Sequence, residues 1–193
     1  MHLVWPQVSI RVMFRTGSFA MPSIPLPGFQ PPESIQEVFL NPGGFHFGTT
    51  DTRIVTLLGS CVSITLWHPR LRVGGMCHFM LPSRGVIPEG AGYDGRYGDE
   101  AMKLFLGHIM RIGAEPEAFQ AKLFGGANMF ADMAQRCEIN VGERNIEMGL
   151  LQLERYGIPL VAKHLGGESH RKLMFDVWSG DVWLKSEQGR KPR

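Results

Sequence analysis

Two neighbouring stretches of the chain have the hydrophobic pattern of β-strands. The stretch from 61 to 67 alternates between two faces, one with Val62, Ile64 and Leu66 and the other with Cys61, Ser63, Thr65 and Trp67, as a half-buried strand does. A second apolar run covers 73–81, and a polar break that contains a proline separates the two. The pattern predicts one antiparallel hairpin whose turn centres on Pro69 and Arg70.

The rest of the chain mixes strand and helix patterns. Strands are predicted within 53–60, 121–130 and 158–167, and a C-terminal hairpin within 171–185 turns at Ser179–Gly180. Two amphipathic helices are also predicted. The first has Asp99 as its N-cap and an apolar stripe of Met102, Phe105, Leu106, Ile109 and Met110; the second covers 145–156, with Ile146, Leu150 and Leu153 facing inward. Because strands and hairpins dominate, we expect an α+β fold of mostly antiparallel strands with helices packed on the sheet.

The domain organisation follows from the distribution of proline and charge. Residues 21–32 are dense in proline, which favours an extended linker. We therefore predict a flexible N-terminal extension over 1–38, one folded domain over 39–186 and a basic tail over 187–193. The chain length of 193 residues suits a single domain with a sizeable core.

Composition narrows the class of function. The net charge is +2, too small to indicate nucleic acid as a partner, and no basic stripe with interleaved aromatic residues is present. The three cysteines lack metal-ligand spacing, so we expect neither a disulfide framework nor a metal site. Free thiols are typical of a reducing compartment. We expect a cytoplasmic protein without signal peptide, anchor or membrane insertion.

The predicted hairpin suggests which cysteine carries chemistry. With the turn at Pro69–Arg70, Cys61 and His78 lie directly opposite each other on one face, with Cβ atoms roughly 5 Å apart. Cys77 falls on the opposite face, where we expect a small buried hydrophobic residue. The isolated Cys137 is interpreted as structural. Most cysteine and histidine pairs in a chain of this size are unrelated, so the pattern leaves open whether the pair is catalytic.

A paired thiol and imidazole support nucleophilic catalysis. The imidazole can take the thiol proton to give a reactive thiolate, and can later protonate a leaving group. Gly59 and Ser60 form a tight turn just before Cys61. Backbone N–H groups in such a turn are suited to stabilise a developing oxyanion.

At these residues the chain resembles a known family. The motifs are TLLGSCVSITLW, GGMCHFMLP, RYGDEAM, KLFGGANMF, VGERN and LGGESHRKLMFDVWSGDVWLK. In this order, from about Arg53 to Lys185, they resemble the chemoreceptor glutamine deamidases of the CheD family. The resemblance implies a layered α/β/β sandwich. It implies hydrolysis of glutamine side chains on chemoreceptor cytoplasmic helices, which releases ammonia as part of adaptation in chemotaxis, and in some members cleavage of glutamyl methyl esters.

The resemblance also implies the site residues. The catalytic cysteine falls on Cys61, the histidine on His78 and a threonine that orients the histidine on Thr56. No cofactor is implied. Chemoreceptor cytoplasmic domains are the implied partners, and a chemotaxis phosphatase is considered as a further partner. The N-terminal extension is not part of the family core.

Further residues near the site have two readings. The loop Ser83–Gly98 is expected to frame the entrance, with Phe79 or Tyr93 meeting the substrate, or else to be plain solvated loop. Asn128 either lines the site or belongs to a turn. Asn145 is predicted to cap the second helix. Two other functions remain open: another cysteine amidase with the same pair, and a non-catalytic chemotaxis binding or regulatory module.

Overall fold

The computed structural model describes residues 10–12, 31–128 and 140–186. Cys137, most of the proline-rich linker and the tail 187–193 lie outside these residues. The strands are β1 Ile10–Val12, β2 Gln36–Leu40, β3 Phe45–Gly48, β4 Thr52–Leu58, β5 Val62–His68, β6 Val73–Cys77, β7 Gln120–Gly125, β8 Leu160–Leu165, β9 Arg171–Asp176 and β10 Val182–Ser186. The helices are α1 Gly98–Arg111 and α2 Val141–Arg155, with a short 3₁₀ turn at Pro116–Ala118.

The strands form two sheets. The first has the order β1-β10-β9-β4-β2 and the second the order β3-β6-β5-β7-β8. Pairs β1/β10, β2/β4 and β7/β8 are parallel, and the other neighbouring pairs are antiparallel. The expectation of mostly antiparallel strands is therefore confirmed.

Two apolar layers hold the elements together. One lies between the sheets and is built from buried side chains of both, among them Ile54, Phe124 and Phe175. The other lies between the second sheet and the helices and includes Ile64 and Phe105. Alternation along β5 supplies both layers, because Ile64 faces the helices whereas Trp67 faces the first sheet. The helices, the second sheet and the first sheet thus stack as the expected α/β/β sandwich.

The hairpin forms as predicted, with a shifted register. Thr65 pairs with Met76 and His68 with Val73, so the turn centres one residue later than predicted, between Arg70 and Leu71. Arg72 has a positive φ of 52° in this turn, which lets its N–H bond the His68 carbonyl at 2.8 Å. The prediction used the proline at the start of the break to place the turn, but the turn extends through Arg72.

Both helix starts differ from the prediction. Helix α1 has Tyr97 as its N-cap. The Asp99 carboxylate instead accepts hydrogen bonds from the Ser83 hydroxyl at 2.7 Å and the Glu100 N–H at 2.9 Å, so it ties the preceding loop to the helix. Met110 is 78% exposed and does not belong to the buried stripe. Helix α2 starts earlier than predicted, with Asn140 as the N-cap that accepts from Glu143 N–H.

Two strands come from the segment predicted as a flexible extension. β1 pairs in parallel with β10, and β2 pairs in parallel with β4. The predicted boundary at 38/39 falls inside β2. Ile10 and Val38 pack against the apolar layer between the sheets, which is the physical reason that these strands join the fold.

Candidate active site

Cys61 and His78 lie on the same face of the second sheet, at one end of the sandwich. Cys61 directly precedes β5 and packs against the apolar layer between the sheets. His78 directly follows β6 and contacts Thr56 of the first sheet. Cys77 faces the other way and is fully buried in the layer beneath the helices. The predicted separation of the two cysteines onto opposite faces agrees with the structure.

The predicted direct opposition of Cys61 and His78 is wrong. The isolated bridge between Val62 and Phe79 continues the register of the hairpin, which places Met80 across from Cys61. Cys61 and His78 are therefore diagonal neighbours, about 7–8 Å apart with somewhat closer Cβ atoms. A shift of the turn by one residue moves the pairing by two and leaves the side chains on the same face, so the two groups still face the same layer.

Thr56 fixes the protonation pattern of the His78 ring. The Thr56 hydroxyl donates to the Leu40 carbonyl at 2.9 Å and lies 2.8 Å from His78 Nδ1. A hydroxyl has one proton. Because that proton goes to a carbonyl that can only accept, Nδ1 must carry the hydrogen and donate to Thr56. This tautomer leaves a lone pair on Nε2, which is buried and has no hydrogen-bond partner among the described residues.

Burial keeps the His78 ring neutral. His78 is 1% exposed. This loss of hydration lowers the pKa of the ring from 6.5 to about 4, against a smaller opposing contribution from the Leu40 carbonyl. At neutral pH the ring is therefore a neutral base with Nε2 as its accepting atom.

Both thiols of the described residues are protonated at rest. Burial raises the pKa of Cys61, although its own backbone N–H partly opposes the shift. Burial raises the pKa of Cys77 to about 12. Cys61 is only partly buried, whereas Cys77 is completely enclosed. A reactive sulfur at Cys61 would thus require transfer of its proton to a base, and His78 Nε2 is the candidate acceptor on the same face.

The turn before Cys61 is held by β7. The Cys61 carbonyl accepts from Gly126 N–H at 2.8 Å, and the Gly59 carbonyl accepts from Ala127 N–H at 3.0 Å. Among the described residues, no backbone carbonyl accepts from the N–H groups of Ser60 or Cys61. Backbone N–H groups without such an acceptor next to a nucleophile are candidates for stabilising an oxyanion.

Asn128 lies beside this turn through its backbone. It follows Ala127, and its N–H donates to the Gly167 carbonyl at 2.8 Å. The structure therefore places it next to the turn that contains Gly59 and Ser60. Whether its side chain lines the site stays a prediction.

The loop Ser83–Gly98 is anchored to α1 and to the segment after β6 that contains His78. Arg84 forms an ion pair with the fully buried Glu100 at 2.7 Å. The Arg96 carbonyl accepts from Met80 N–H at 2.9 Å. Tyr93 is 52% exposed on this loop, but Phe79 is completely buried in the helix-facing layer. Phe79 is therefore excluded as a substrate contact, whereas Tyr93 remains a candidate.

Sequence reasoning missed three positioning residues. The Leu40 carbonyl sets the direction of the Thr56 hydroxyl. Gly43 N–H donates to the His78 carbonyl at 2.7 Å, and the Gly44 carbonyl accepts from His78 N–H at 2.9 Å. The Pro-Gly-Gly turn after Asn41 was a visible signal of a tight backbone approach.

Asn145 does not cap α2. It is completely buried in the helix interior, and its Nδ2 donates to the Met80 carbonyl at 2.8 Å. The side chain therefore joins α2 to the strand segment opposite Cys61. Across 10–12, 31–128 and 140–186, no group of three metal-ligating side chains occurs. In the same parts of the chain, neither helix has the length and apolar character of a membrane span.

The fold and the site together define an α/β/β sandwich protein with a cysteine, a histidine and a threonine at one end of its inter-sheet layer. The family model for CheD, described as CheD chemotactic sensory transduction, matches residues 80–186. This match begins after His78 and covers more than half of the chain.

Curated relatives match over a larger part of the chain. "Probable chemoreceptor glutamine deamidase CheD 3" of Dechloromonas aromatica (strain RCB) is 56% identical over 158 residues, 82% of this chain and 92% of that protein. "Probable chemoreceptor glutamine deamidase CheD 1" of Chromobacterium violaceum is 48% identical over 84% of each chain. A relative of the same name type from Pseudomonas savastanoi pv. phaseolicola is 45% identical over 81% of this chain and 88% of its own. The chain belongs to the CheD family.

Proposed function

We propose that the protein is a glutamine deamidase that acts on chemoreceptors in the cytoplasm, with Cys61 as nucleophile. Membership of the CheD family and relatives named as probable chemoreceptor glutamine deamidases support the reaction and the substrate class. The observation that carries the assignment to Cys61 is the neutral His78 ring, whose Nδ1 is committed to Thr56 and whose Nε2 is free to accept a proton.

In the first step, His78 Nε2 takes the proton from Cys61 Sγ. The sulfur attacks the carboxamide carbon of a glutamine side chain, and a C–S bond forms as the carbonyl π electrons move to oxygen. The N–H groups of Ser60 and Cys61 stabilise that oxyanion. Because both partners are neutral at rest, the base removes the proton as the attack proceeds, without a preformed ion pair.

In the second step, the C–N bond breaks. The His78 imidazolium donates its Nε2 proton to the departing nitrogen, so ammonia leaves and a glutamyl thioester remains. Water then attacks the thioester with its proton accepted by the neutral ring. The C–S bond breaks, the thiol recovers its proton, and the glutamine has become glutamate.

Thr56 acts through the ring. Its hydroxyl holds Nδ1–H and keeps Nε2 as the accepting atom in both steps. Asn128 lies beside the turn that contains Gly59 and Ser60 and would line the site there. No metal or organic cofactor has a part in this sequence of steps.

The same acyl chemistry extends to a glutamyl methyl ester. Methanol would then leave in place of ammonia, from the same tetrahedral intermediate. A chemotaxis phosphatase is proposed as a further partner.

The test is incubation of the purified full chain with a chemoreceptor cytoplasmic domain. We expect release of ammonia and a gain of about one dalton at particular glutamines, the mass difference between amide and acid, with Cys61 forming the acyl intermediate. Cys61→Ser should stop both signals while thermal unfolding stays close to that of the parent. Full activity of Cys61→Ser would exclude the mechanism, and peptide-bond cleavage in place of ammonia release would point to a different cysteine hydrolase.

A further inference from the structure

A second polar contact joins the two sheets near Cys61, and it has no part in the proposed reaction steps. Arg171 begins β9 and pairs with Leu58, the last residue of β4 before the turn that leads to Cys61. Its side chain is directed across the inter-sheet layer to β8, where Nε donates to His164 Nδ1 at 2.9 Å. Thr56–His78 and Arg171–His164 therefore join the two sheets at the same end of the sandwich.

The Arg171 guanidinium is buried without a carboxylate partner among the described residues. Arg171 is 2% exposed, and its acceptors are His164 Nδ1 and the carbonyl oxygens of Gly166 and, more distantly, Ser169. Burial of a charge is costly unless the charge is compensated. A second buried arginine, Arg53, has such compensation in a two-bond pair with Asp176 at 2.6 and 3.0 Å.

A short series of hydrogen bonds leads from Arg171 to the nucleophile. Its Nη2 donates to the Gly166 carbonyl. Gly166 N–H donates to the Gly125 carbonyl at 2.9 Å, and the next residue, Gly126, donates to the Cys61 carbonyl at 2.8 Å. The guanidinium thus holds the turn after β8 against the end of β7, which in turn holds the Cys61 backbone.

Two glycines make this approach possible. Gly125 and Gly126 have φ values of 111° and 68°, a region that favours glycine. A Cβ on Gly125 would overlap the Cys61 carbonyl oxygen, and one on Gly126 would overlap Ile146. The backbone beside Cys61 therefore has little freedom as long as the turn after β8 stays in place.

We propose that Arg171 is a positioning residue for Cys61, which acts through the Gly166 carbonyl and the Gly125–Gly126 pair. It keeps the Cys61 peptide oriented so that the sulfur and the N–H groups of Ser60 and Cys61 converge on one substrate carbonyl. The inference rests on the proposed function, because it assigns a role within that same site. If Arg171 has this role, its replacement should disturb the orientation of the Cys61 peptide without a change in the ionisation of the thiol.

The test compares Arg171→Lys with Arg53→Lys in the full chain. Lysine keeps the charge but lacks the planar fork of donors, so each variant removes one buried set of hydrogen bonds. Deamidation of a chemoreceptor cytoplasmic domain gives kcat and KM. The rate at which iodoacetamide alkylates Cys61, followed by mass spectrometry from pH 5 to 10, reports the ionisation and access of the thiol, since alkylation needs no oxyanion donors.

We expect Arg171→Lys to lower kcat by about tenfold to a hundredfold, the scale of a misplaced reacting group. KM and the pH profile of alkylation should change by less than about threefold, since no group that binds substrate or ionises the thiol is removed. Arg53→Lys should leave kcat close to that of the parent at a similar loss of thermal stability. His164→Leu removes the side-chain acceptor of Arg171. It should lower kcat in the same direction by a smaller factor, and it decides the question if Arg171→Lys does not fold.

Three outcomes would overturn the inference: an unchanged kcat in Arg171→Lys, an equal fall in Arg53→Lys, or alkylation that slows in parallel with kcat. Cys61→Ser in the same assay separates this failure from failure of the proposed function. If Cys61→Ser is inactive and Arg171→Lys is fully active, only the role of Arg171 is excluded. If Cys61→Ser is active, the proposed function itself is excluded.

Discussion

The two faces of the second sheet carry one cysteine each, and the two cysteines have different surroundings. Cys77 faces the helices and is sealed among side chains such as Phe79 and Phe105. Cys61 faces the first sheet at the end of the inter-sheet layer, where it keeps partial exposure. His78 is adjacent to Cys77 in sequence, yet its ring points into the layer of Cys61 because neighbouring strand residues alternate.

Burial alone therefore does not distinguish the two cysteines. It raises the pKa of both thiols, that of Cys77 to about 12. What sets Cys61 apart is the neighbouring face: a neutral imidazole with one nitrogen committed to Thr56 and the other available. The hydrogen bond from Arg171 to His164 lies in the same layer. The inter-sheet face carries the polar groups suited to catalysis, and the helix-facing side supplies packing.

The largest expected effect separates the two cysteines. Cys61→Ala should lower deamidation by about 10⁴-fold or more, because no nucleophile remains. Cys77→Ala should keep most of the activity and lose about 1–2 kcal/mol of unfolding free energy, because it opens a small cavity. Ammonia release and urea unfolding of both variants measure this. Comparable activity losses in the two variants would contradict the assignment of chemistry to one face.

The next effect concerns the base. His78→Gln should lower kcat by about 10²- to 10⁴-fold, the usual range for loss of a general acid–base group. Alkylation of Cys61 at pH 7 should also slow, because the thiol then loses its acceptor. Steady-state kinetics and iodoacetamide labelling check both effects. If labelling of Cys61 stays at the parental rate, His78 does not accept its proton.

A smaller effect is expected at Thr56. Thr56→Val leaves the buried His78 Nδ1–H without its partner, which costs about 1–3 kcal/mol of stability. It also removes the group that holds the ring tautomer, so we expect kcat to fall by about tenfold to a hundredfold. Thr56→Ser restores the hydroxyl and should recover most of that loss. The pair of variants is compared by kcat at constant substrate. Equal activities of the valine and serine variants would show that the hydroxyl has no part in the reaction.

The smallest and most gradual effect is the dependence on pH. Protonated His78 cannot act as a base, so kcat/KM should fall as the pH drops through the His78 pKa of about 4 rather than through 6.5. At pH 5.5 most activity should remain. A pH–rate profile with a parallel check of folding measures this. An acidic limb near 6.5 would contradict a buried, neutral ring.

The free energy of unfolding should also depend on pH through His78. The unfolded chain takes up a proton at His78 below 6.5, whereas the folded chain does so only near 4. The unfolded state therefore binds more protons between these values, and the free energy of unfolding decreases as pH falls through this window. His78→Gln should show a shallower decrease. Urea titrations at pH 4.5, 5.5 and 7 compare the two proteins.

Local pattern was enough to predict the hairpin and the faces of its residues. The alternation over 61–67 separates Cys61 from Val62 and Ile64, and any register with the same parity keeps His78 on the face of Cys61. The direct opposition of Cys61 and His78 was wrong because the turn extends through Arg72 in a left-handed conformation. A single sequence pattern carries little information on such a turn.

The errors at Asp99 and Asn145 share one cause. Each residue type favours helix caps, but each side chain here has a partner distant in the sequence. Asp99 accepts from Ser83, and Asn145 donates to Met80. Tertiary hydrogen bonds of this kind outweigh the local preference for a cap, and spacing along the chain does not reveal them.

The sequence by itself determined the strand alternation, the chemical types at Cys61 and His78, and the tight glycine turns, because these depend on neighbours a few residues away. Only the tertiary structure decided which first-sheet groups meet the second sheet. Thr56 reaches His78, and Arg171 reaches His164, because two separately formed sheets stack through a shared apolar layer. The tautomer of His78 and the fixed backbone of Cys61 depend on that stacking, so they are properties of the assembled sandwich.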